Sequence, residues 1–381
     1  MRRLILCFVL LALVTSTCKK SSAPGPEIIA LSTDRAGVGF PVTIIGKNFG
    51  NSPSSVSVKF NQITVLPTLV QDTIIVVIVP PGATSGPLTV FIDNNPVPGN
   101  NYFYILTGTW TRLIDMPFSP GRILGAGFTI NAQGYFFGGT DNGAKYNNLY
   151  LYDPPTHQWY IKSPWPGPGI QEMVCFTINE KAYLGIGKTD TGLTNQFWEY
   201  DPAVNNWTRK SDFPGTSRSG VFSFSVGSFG YVGDIGGTAD FWMYDEGLDK
   251  WSQKANSPVG VNSQWATSFV IGDKGYCGTG LAGNEFWEYT PSLDSWTRMP
   301  NFPGNGGQTT LNAVGFTINQ IGYVSSGGEC WAFDPVARGW SQVAFFGFRN
   351  AGSGFAIGGE GYYVGGTTGI DGNQTWQFSP Q

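Results

Sequence analysis

Few residues of the 381-residue sequence have the types and spacing that chemistry needs, and most of them recur at an interval. Long polar side chains stand at Arg122, Gln171, Arg218, Gln264, Gln308 and Arg349, 41 to 49 residues apart. Two tryptophans, Trp165 and Trp265, fall in the same stretches, where an indole offers a stacking face to a sugar or peptide. Trp165 sits in Pro164-Trp165-Pro166-Gly167-Pro168-Gly169, a stiff loop expected to keep the aromatic exposed. Glu172, beside Gln171, is the carboxylate expected nearest to this group, and it suits a proton transfer.

Other chemistry is excluded by composition. The one histidine, His157, rules out the common Zn and Cu arrangements with two or three imidazoles, so no metal and no cofactor is expected. His157 reads as an exposed turn residue between Pro154 and Trp159. The net charge is −4 and lacks a basic footprint, which discards nucleic acid as a partner. With 53 glycines, 13 tryptophans and 13% charged residues, the chain reads as all-β with tight turns and a large aromatic core. A mainly disordered chain and a coiled coil are both excluded.

The N-terminus reads as an export signal. Met1-Arg2-Arg3 is a basic n-region, Leu4 to Val14 is apolar but too short for a final anchor, and Thr15-Ser16-Thr17 precede Cys18. This resembles a bacterial lipoprotein signal, which implies loss of residues 1–17 and acylation of Cys18. Loss of Arg2 and Arg3 takes the net charge from −4 to −6. Residues 18–25 form a tether. The expected location is the bacterial cell envelope, on a lipid anchor. Of the five cysteines, Cys175, Cys277 and Cys330 then remain beyond Cys18, in three different repeats, and read as buried apolar residues rather than a disulfide framework.

Residues 26–106 alternate β-branched runs with turns. Strands are expected at Pro41–Gly46, Val56–Phe60, Ile74–Val79, Leu88–Ile92 and Tyr102–Tyr104. Pro26-Glu27-Ile28, then Gly46-Lys47-Asn48-Phe49-Gly50, Val58-Lys59-Phe60 and Val79-Pro80-Pro81-Gly82 follow one another. That order resembles an IPT/TIG domain, which implies an immunoglobulin-like β-sandwich. Nothing in it supplies chemistry, and a spacer role is expected.

Residues 107–381 are repetitive. Trp110, Trp159, Trp207, Trp251, Trp296 and Trp340 are 44 to 49 residues apart. Tyr152-Asp153-Pro154, Tyr200-Asp201-Pro202, Tyr244-Asp245-Glu246, Tyr289-Thr290-Pro291 and Phe333-Asp334-Pro335 each precede a Trp, with a last copy at Phe378-Ser379-Pro380. Upstream of each lies a β-run of the kind Gly134-Tyr135-Phe136-Phe137-Gly138-Gly139. A second set, Trp198, Trp242, Trp287, Trp331 and Trp376, sits two residues before an aromatic and is expected on the same buried face. The layout resembles kelch repeats, which implies a six-bladed β-propeller with four strands per blade. Gly108 to Leu113, at the front with no strands before it, is expected to be the outer strand of the last blade. The two repeat sets account for eleven tryptophans and leave Trp165 and Trp265.

The resemblance to kelch proteins places the Arg/Gln positions before the six inner strands, as a ring at the mouth of the axial channel. It also implies that Arg122, Arg218 and Arg349 hold a carboxylate or another anion. The expected function is a membrane-anchored, exported, monomeric binding protein whose propeller face recognises a glycan or an anionic peptide or protein. The alternative is an exported mutarotase- or epimerase-like enzyme on an acidic sugar such as sialic acid, since a six-bladed kelch family with that activity exists; Glu172 would then be catalytic. Copper oxidases on kelch scaffolds need histidine ligands and are excluded.

Overall fold

The computed structural model describes residues 24–99, 101–118, 120–141, 143–234, 239–258, 265–280, 283–304, 313–347, 351–366 and 372–380. Cys18, Gln264, Gln308 and Arg349 lie outside them. The chain forms two compact units, one of Met1–Asp34 and Gly39–Tyr104, the other of Arg35–Val38 and Ile105–Gln381.

The smaller unit carries two antiparallel sheets. One orders Glu27–Leu31, Pro41–Lys47, Ile74–Ile78 and Leu69–Gln71. The other runs through Asn101–Leu106, Gly86–Ile92, Val56–Phe60 and Ile63–Val65. Alternation buries Val42 and Ile44 in the first sheet and Val58, Phe60, Leu88 and Val90 in the second. The Gly46 to Gly50 motif has a local cause. A Cβ on Gly46 would lie 2.1 Å from the ring of buried Phe49, and Asn48 takes a left-handed φ of 57° while its amide donates to the carbonyls of Pro24 and Gly25.

The larger unit contains six sheets, five of four strands and one of five, arranged as a closed ring of blades, with a two-stranded hairpin of Thr140–Asp141 and Ala144–Lys145 beside them. Their inner strands are Ala126–Ile130, Val174–Ile178, Phe222–Val226, Thr267–Ile271, Val314–Ile318 and Gly352–Ile357. Each lies against the inner strands of both neighbouring blades, the first closing on the last. The sixth blade is completed from the front of the domain: Thr109–Arg112 pairs with Thr375–Ser379, Trp110 opposite Phe378. The seam is therefore sealed by ladder hydrogen bonds and leaves no open edge there.

The Gly-Tyr pair of five repeats is a packing device between blades, the second repeat having Ala182-Tyr183 in its place. A Cβ on Gly134, Gly230, Gly275, Gly322 or Gly361 would meet the inner-strand phenylalanine of the preceding blade at 2.0–2.2 Å, those rings being Phe355, Phe176, Phe224, Phe269 and Phe316. Glycine leaves the space the ring fills. The following tyrosine turns into the blade and is buried, Tyr135, Tyr231 and Tyr276 being at most 2% exposed.

A second device repeats at the outer edge. The Trp207, Trp251 and Trp296 indoles donate to the carbonyls of Ser163, Ser211 and Ala255, each on the preceding blade. The amide of that same residue donates to Asn205, Asp249 or Asp294, which also accepts the hydroxyl of Tyr200, Tyr244 or Tyr289. The accepting residue sits in a turn at φ 46–49°, a conformation that Asn and Asp tolerate. His157 holds this place in the first blade: it is an exposed turn residue at φ 53°, its Nδ1 2.8 Å from the Tyr152 hydroxyl. The Trp set two residues before the buried aromatics is only half-buried. There Trp242, Trp331 and Trp376 donate to Asp240, Glu329 and Gln374, while Phe333 and Phe378 are fully buried.

Candidate functional site

The segments that enter the inner strands meet at one end of the axial channel. Four residues before five of the inner-strand phenylalanines the backbone turns left-handed: Leu124 (φ 59°), Glu172 (54°), Gly220 (68°), Trp265 (64°) and Ala351 (58°). Their backbones are linked in a chain around the mouth. The Leu124 amide donates to the Ala351 carbonyl at 3.0 Å, Glu172 to Leu124 at 3.0 Å, Gly220 to Glu172 at 3.0 Å and Trp265 to Gly220 at 2.8 Å. Glycine takes this conformation freely, whereas Glu172 and Trp265 are held in it by the surrounding ring.

These residues border a cavity of about 210 Å³, walled by the starts of all six inner strands, with Glu172 and Trp265 in its lining. Below it a second cavity of about 260 Å³ continues along the axis and shares Cys175, Ser223, Ser268, Gly315 and Gly354 with the first. Glu172 is fixed at both oxygens, Oε1 accepting from Gln171 Nε2 at 2.8 Å and Oε2 from the Ser219 hydroxyl at 2.8 Å. Among the described residues the Trp265 indole N–H is enclosed and has no hydrogen-bond partner, as holds for the indoles of Trp110, Trp165, Trp198 and Trp287. An orphaned donor of that kind is costly, and it is relieved when an acceptor reaches it. Burial pushes the Cys175 thiol up from its ordinary range.

The expected Arg/Gln ring is corrected in two respects. Counted from the inner-strand phenylalanines, the three arginines share one register, but Gln171 and Gln264 stand one residue later and Gln308 two residues earlier. More importantly, the two described arginines are buried and point their donors at the protein. Arg218 Nε donates to the Thr216 carbonyl at 2.8 Å, and its guanidinium grips Asp240 bidentately, the Nη2 bond being 2.9 Å. Arg122 is 4% exposed and stacked between Phe118 and Tyr146, with centroid distances of 4.1 and 3.7 Å. Its Nη2 reaches Asn148 at 3.2 Å and the Tyr150 hydroxyl at 3.5 Å, while Nε has no partner among the described residues. Burial pushes its pKa below the ordinary value, with Tyr150 and Tyr146 acting against that. Asn148 and Asp240 occupy equivalent places, each two residues before a third-strand aromatic, so the first blade presents an amide where the third presents a carboxylate.

Trp165 is corrected as well. The proline-rich loop turns the ring inward, where it is 1% exposed, stacked on Phe137 at 5.5 Å and packed against Trp198 and Trp207. Asn147 clamps the loop through the carbonyls of Trp165 and Gly167. Of the residues singled out in the sequence, the structure brings Glu172, Trp265 and Gln171 together at the mouth. Sequence reasoning missed Ser219, Asp240 and the left-handed ring. Aligning the repeats on the inner-strand phenylalanine would have exposed the Asn148/Asp240 exchange. Among the described residues no group of three metal-ligating side chains forms.

Comparison with known proteins bears on the fold. Residues 26–105 match the IPT/TIG domain model, so the chain contains such a domain. The solved structure of YjhT is similar at a TM-score of 0.56 and 16% identity, over 69% of this chain and 95% of that one. The larger unit is accordingly a kelch-type propeller. No protein of curated description matches the sequence.

Proposed function

We propose that the protein is a non-catalytic recognition protein of the cell envelope, carried on a lipid at Cys18 and a sandwich spacer, whose propeller mouth binds the end of a glycan. The observation that carries the reading is Trp265, a bulky residue in a left-handed conformation with an orphaned indole N–H, set in the wall of the mouth cavity. Sugars need both things an indole supplies, an apolar face and a hydrogen-bond donor, with a fixed acceptor nearby such as Glu172. A cavity of about 210 Å³ suits one ring or chain end rather than a long oligomer. The described arginines favour a neutral ligand over an anionic one, because Arg218 is already neutralised and Arg122 is enclosed.

The test is a glycan array read against Trp265→Ala. Loss of binding with unchanged melting temperature supports the site; unchanged binding removes it. Lipidation is tested by the mass of the mature N-terminal peptide, which should begin with acylated Cys18.

A second reading rests on the clamp that Gln171 and Ser219 place on Glu172. A carboxylate oriented in this way at a sugar-sized cavity suits a proton transfer at an anomeric centre. It predicts that the chain accelerates the exchange of sugar anomers, followed by proton NMR, and that Glu172→Gln abolishes the acceleration.

A further inference from the structure

The channel below the mouth has a polarity that glycan recognition does not use. Eight hydroxyl side chains line it among the described residues, and all but Thr177 and Thr267 hand their proton to a backbone carbonyl of the neighbouring blade. Thr129 donates to Ala356 at 2.9 Å, Ser225 to Thr177 at 2.7 Å and Thr317 to Val270 at 2.7 Å in the lower cavity. In the upper one Ser223 donates to Cys175 at 3.0 Å, Ser268 to Ser223 at 2.7 Å and Ser353 to Gly125 at 2.8 Å.

These bonds join the inner strands of the second to fifth blades in series and that of the sixth to the first, and they also fix the direction of these six hydroxyls. With its proton committed, a hydroxyl retains only oxygen lone pairs for a guest. The one carboxylate among the described lining residues is Glu172, at the upper end. No arginine or lysine lines either cavity among the described residues, because Arg122 and Arg218 are turned into the blades. Oxygen acceptors and a negative charge, enclosed by low-dielectric walls, attract a positive guest and repel a negative one.

We propose that the axial channel is a site for a compact monovalent cation, either an alkali ion or the ammonium group of an amine, held by the hydroxyl oxygens and by the field of Glu172. The site shares Glu172 and the upper cavity with the mouth proposed for a glycan but extends below it along the axis, and it does not depend on glycan recognition, so a protein that binds no glycan at its mouth would still take the cation. The set of ligands is neutral apart from Glu172, which selects single over double charge: a divalent ion needs several carboxylates to offset its dehydration.

The test uses crystals of the mature chain soaked separately in rubidium and in bromide, with anomalous scattering from each. Rubidium is expected on the axis, between the Ser223/Ser268 level and the Thr129/Ser225/Thr317 level, and bromide is expected nowhere in the channel. In Glu172→Gln the rubidium occupancy should fall at least twofold while the Trp265 wall keeps its position. Methylammonium added with rubidium separates the two sources, since displacement of rubidium assigns the site to an amine and persistence assigns it to the inorganic ion. Bromide in the channel, or no rubidium there at saturating concentration, overturns the proposal. An unchanged rubidium occupancy in Glu172→Gln also counts against it.

Discussion

Asp240→Asn distinguishes a structural Arg218 from a ligand-binding one. The Arg218 and Asp240 side chains are 7% and 15% exposed, so the pair is buried and its separation leaves a guanidinium without a counter-charge. Removing one partner of such a pair typically costs about 3–5 kcal/mol. The first blade shows how the chain accommodates arginine opposite asparagine: Arg122 gains two aromatic faces within 4.1 Å. Among the described residues Arg218 has only Phe213, at 5.1 Å, and so lacks that compensation. Asparagine still offers one oxygen, which places the expected loss near the lower end, about 3 kcal/mol. For a domain of this size each kcal/mol moves the melting temperature by roughly 2–4 °C, so the variant should melt about 6–12 °C lower in scanning calorimetry. The reciprocal change, Asn148→Asp, gives Arg122 the carboxylate it lacks and should raise the melting temperature. A shift below about 2 °C for Asp240→Asn would refute the reasoning. It would mean that the Arg218 charge already reaches water and is free for an anionic ligand.

Other expectations follow from the same geometry. Trp165→Ala should cost about 3–5 kcal/mol by urea unfolding, because the ring is fully enclosed, whereas Trp265→Ala, at a half-buried ring, should cost clearly less. Gly275→Val should lower stability by at least 1–3 kcal/mol, since its side chain enters the space of the Phe224 ring; the same measurement on Ala182→Gly should show far less change. Burial opposes ionisation of Asp249 and Asp294, but the Tyr244 and Tyr289 hydroxyls, the Ser211 and Ala255 amides and nearby lysines outweigh it and hold both carboxyls below their ordinary value. A depressed carboxylate pKa gives stability that is complete above the unfolded value of about 4 and is lost as pH falls through the folded one. Thermal melts from pH 7 to pH 3 should therefore fall steeply below about pH 4, and the fall should be shallower in Tyr244→Phe.

The sequence exposed the architecture because each structural device repeats. The Trp110 to Trp340 series recurs once per blade and the Gly-Tyr pair in five of the six, and periodicity of that kind is visible without coordinates. Closure by Thr109–Arg112 was legible for the same reason, a fourth strand standing ahead of its blade. Short strands such as Arg35–Gly37 and Ile63–Val65 were not, having three residues each and no run of alternation. The site was less legible because side-chain direction is not periodic. Arg122 and Arg218 share a register yet meet different partners, since a single residue, Asn148 or Asp240, decides what faces the guanidinium. Trp165 looked exposed among prolines and glycines, but the loop that stiffens it also folds it against Phe137. Conversely, the left-handed backbone that presents Glu172 and Trp265 has no sequence mark, as only Gly220 among the five described positions is a glycine.

The most direct measurement follows the Trp265 indole itself. Its ¹H–¹⁵N resonance, assigned through Trp265→Phe, is recorded during titration with glycans selected on the array, alongside the Trp165 indole as an internal control. Recognition at the mouth predicts that the Trp265 signal shifts saturably as its N–H finds an acceptor, while Trp165 stays in place. A Trp265 signal that does not move at saturation, or an array on which no glycan binds, would contradict the account.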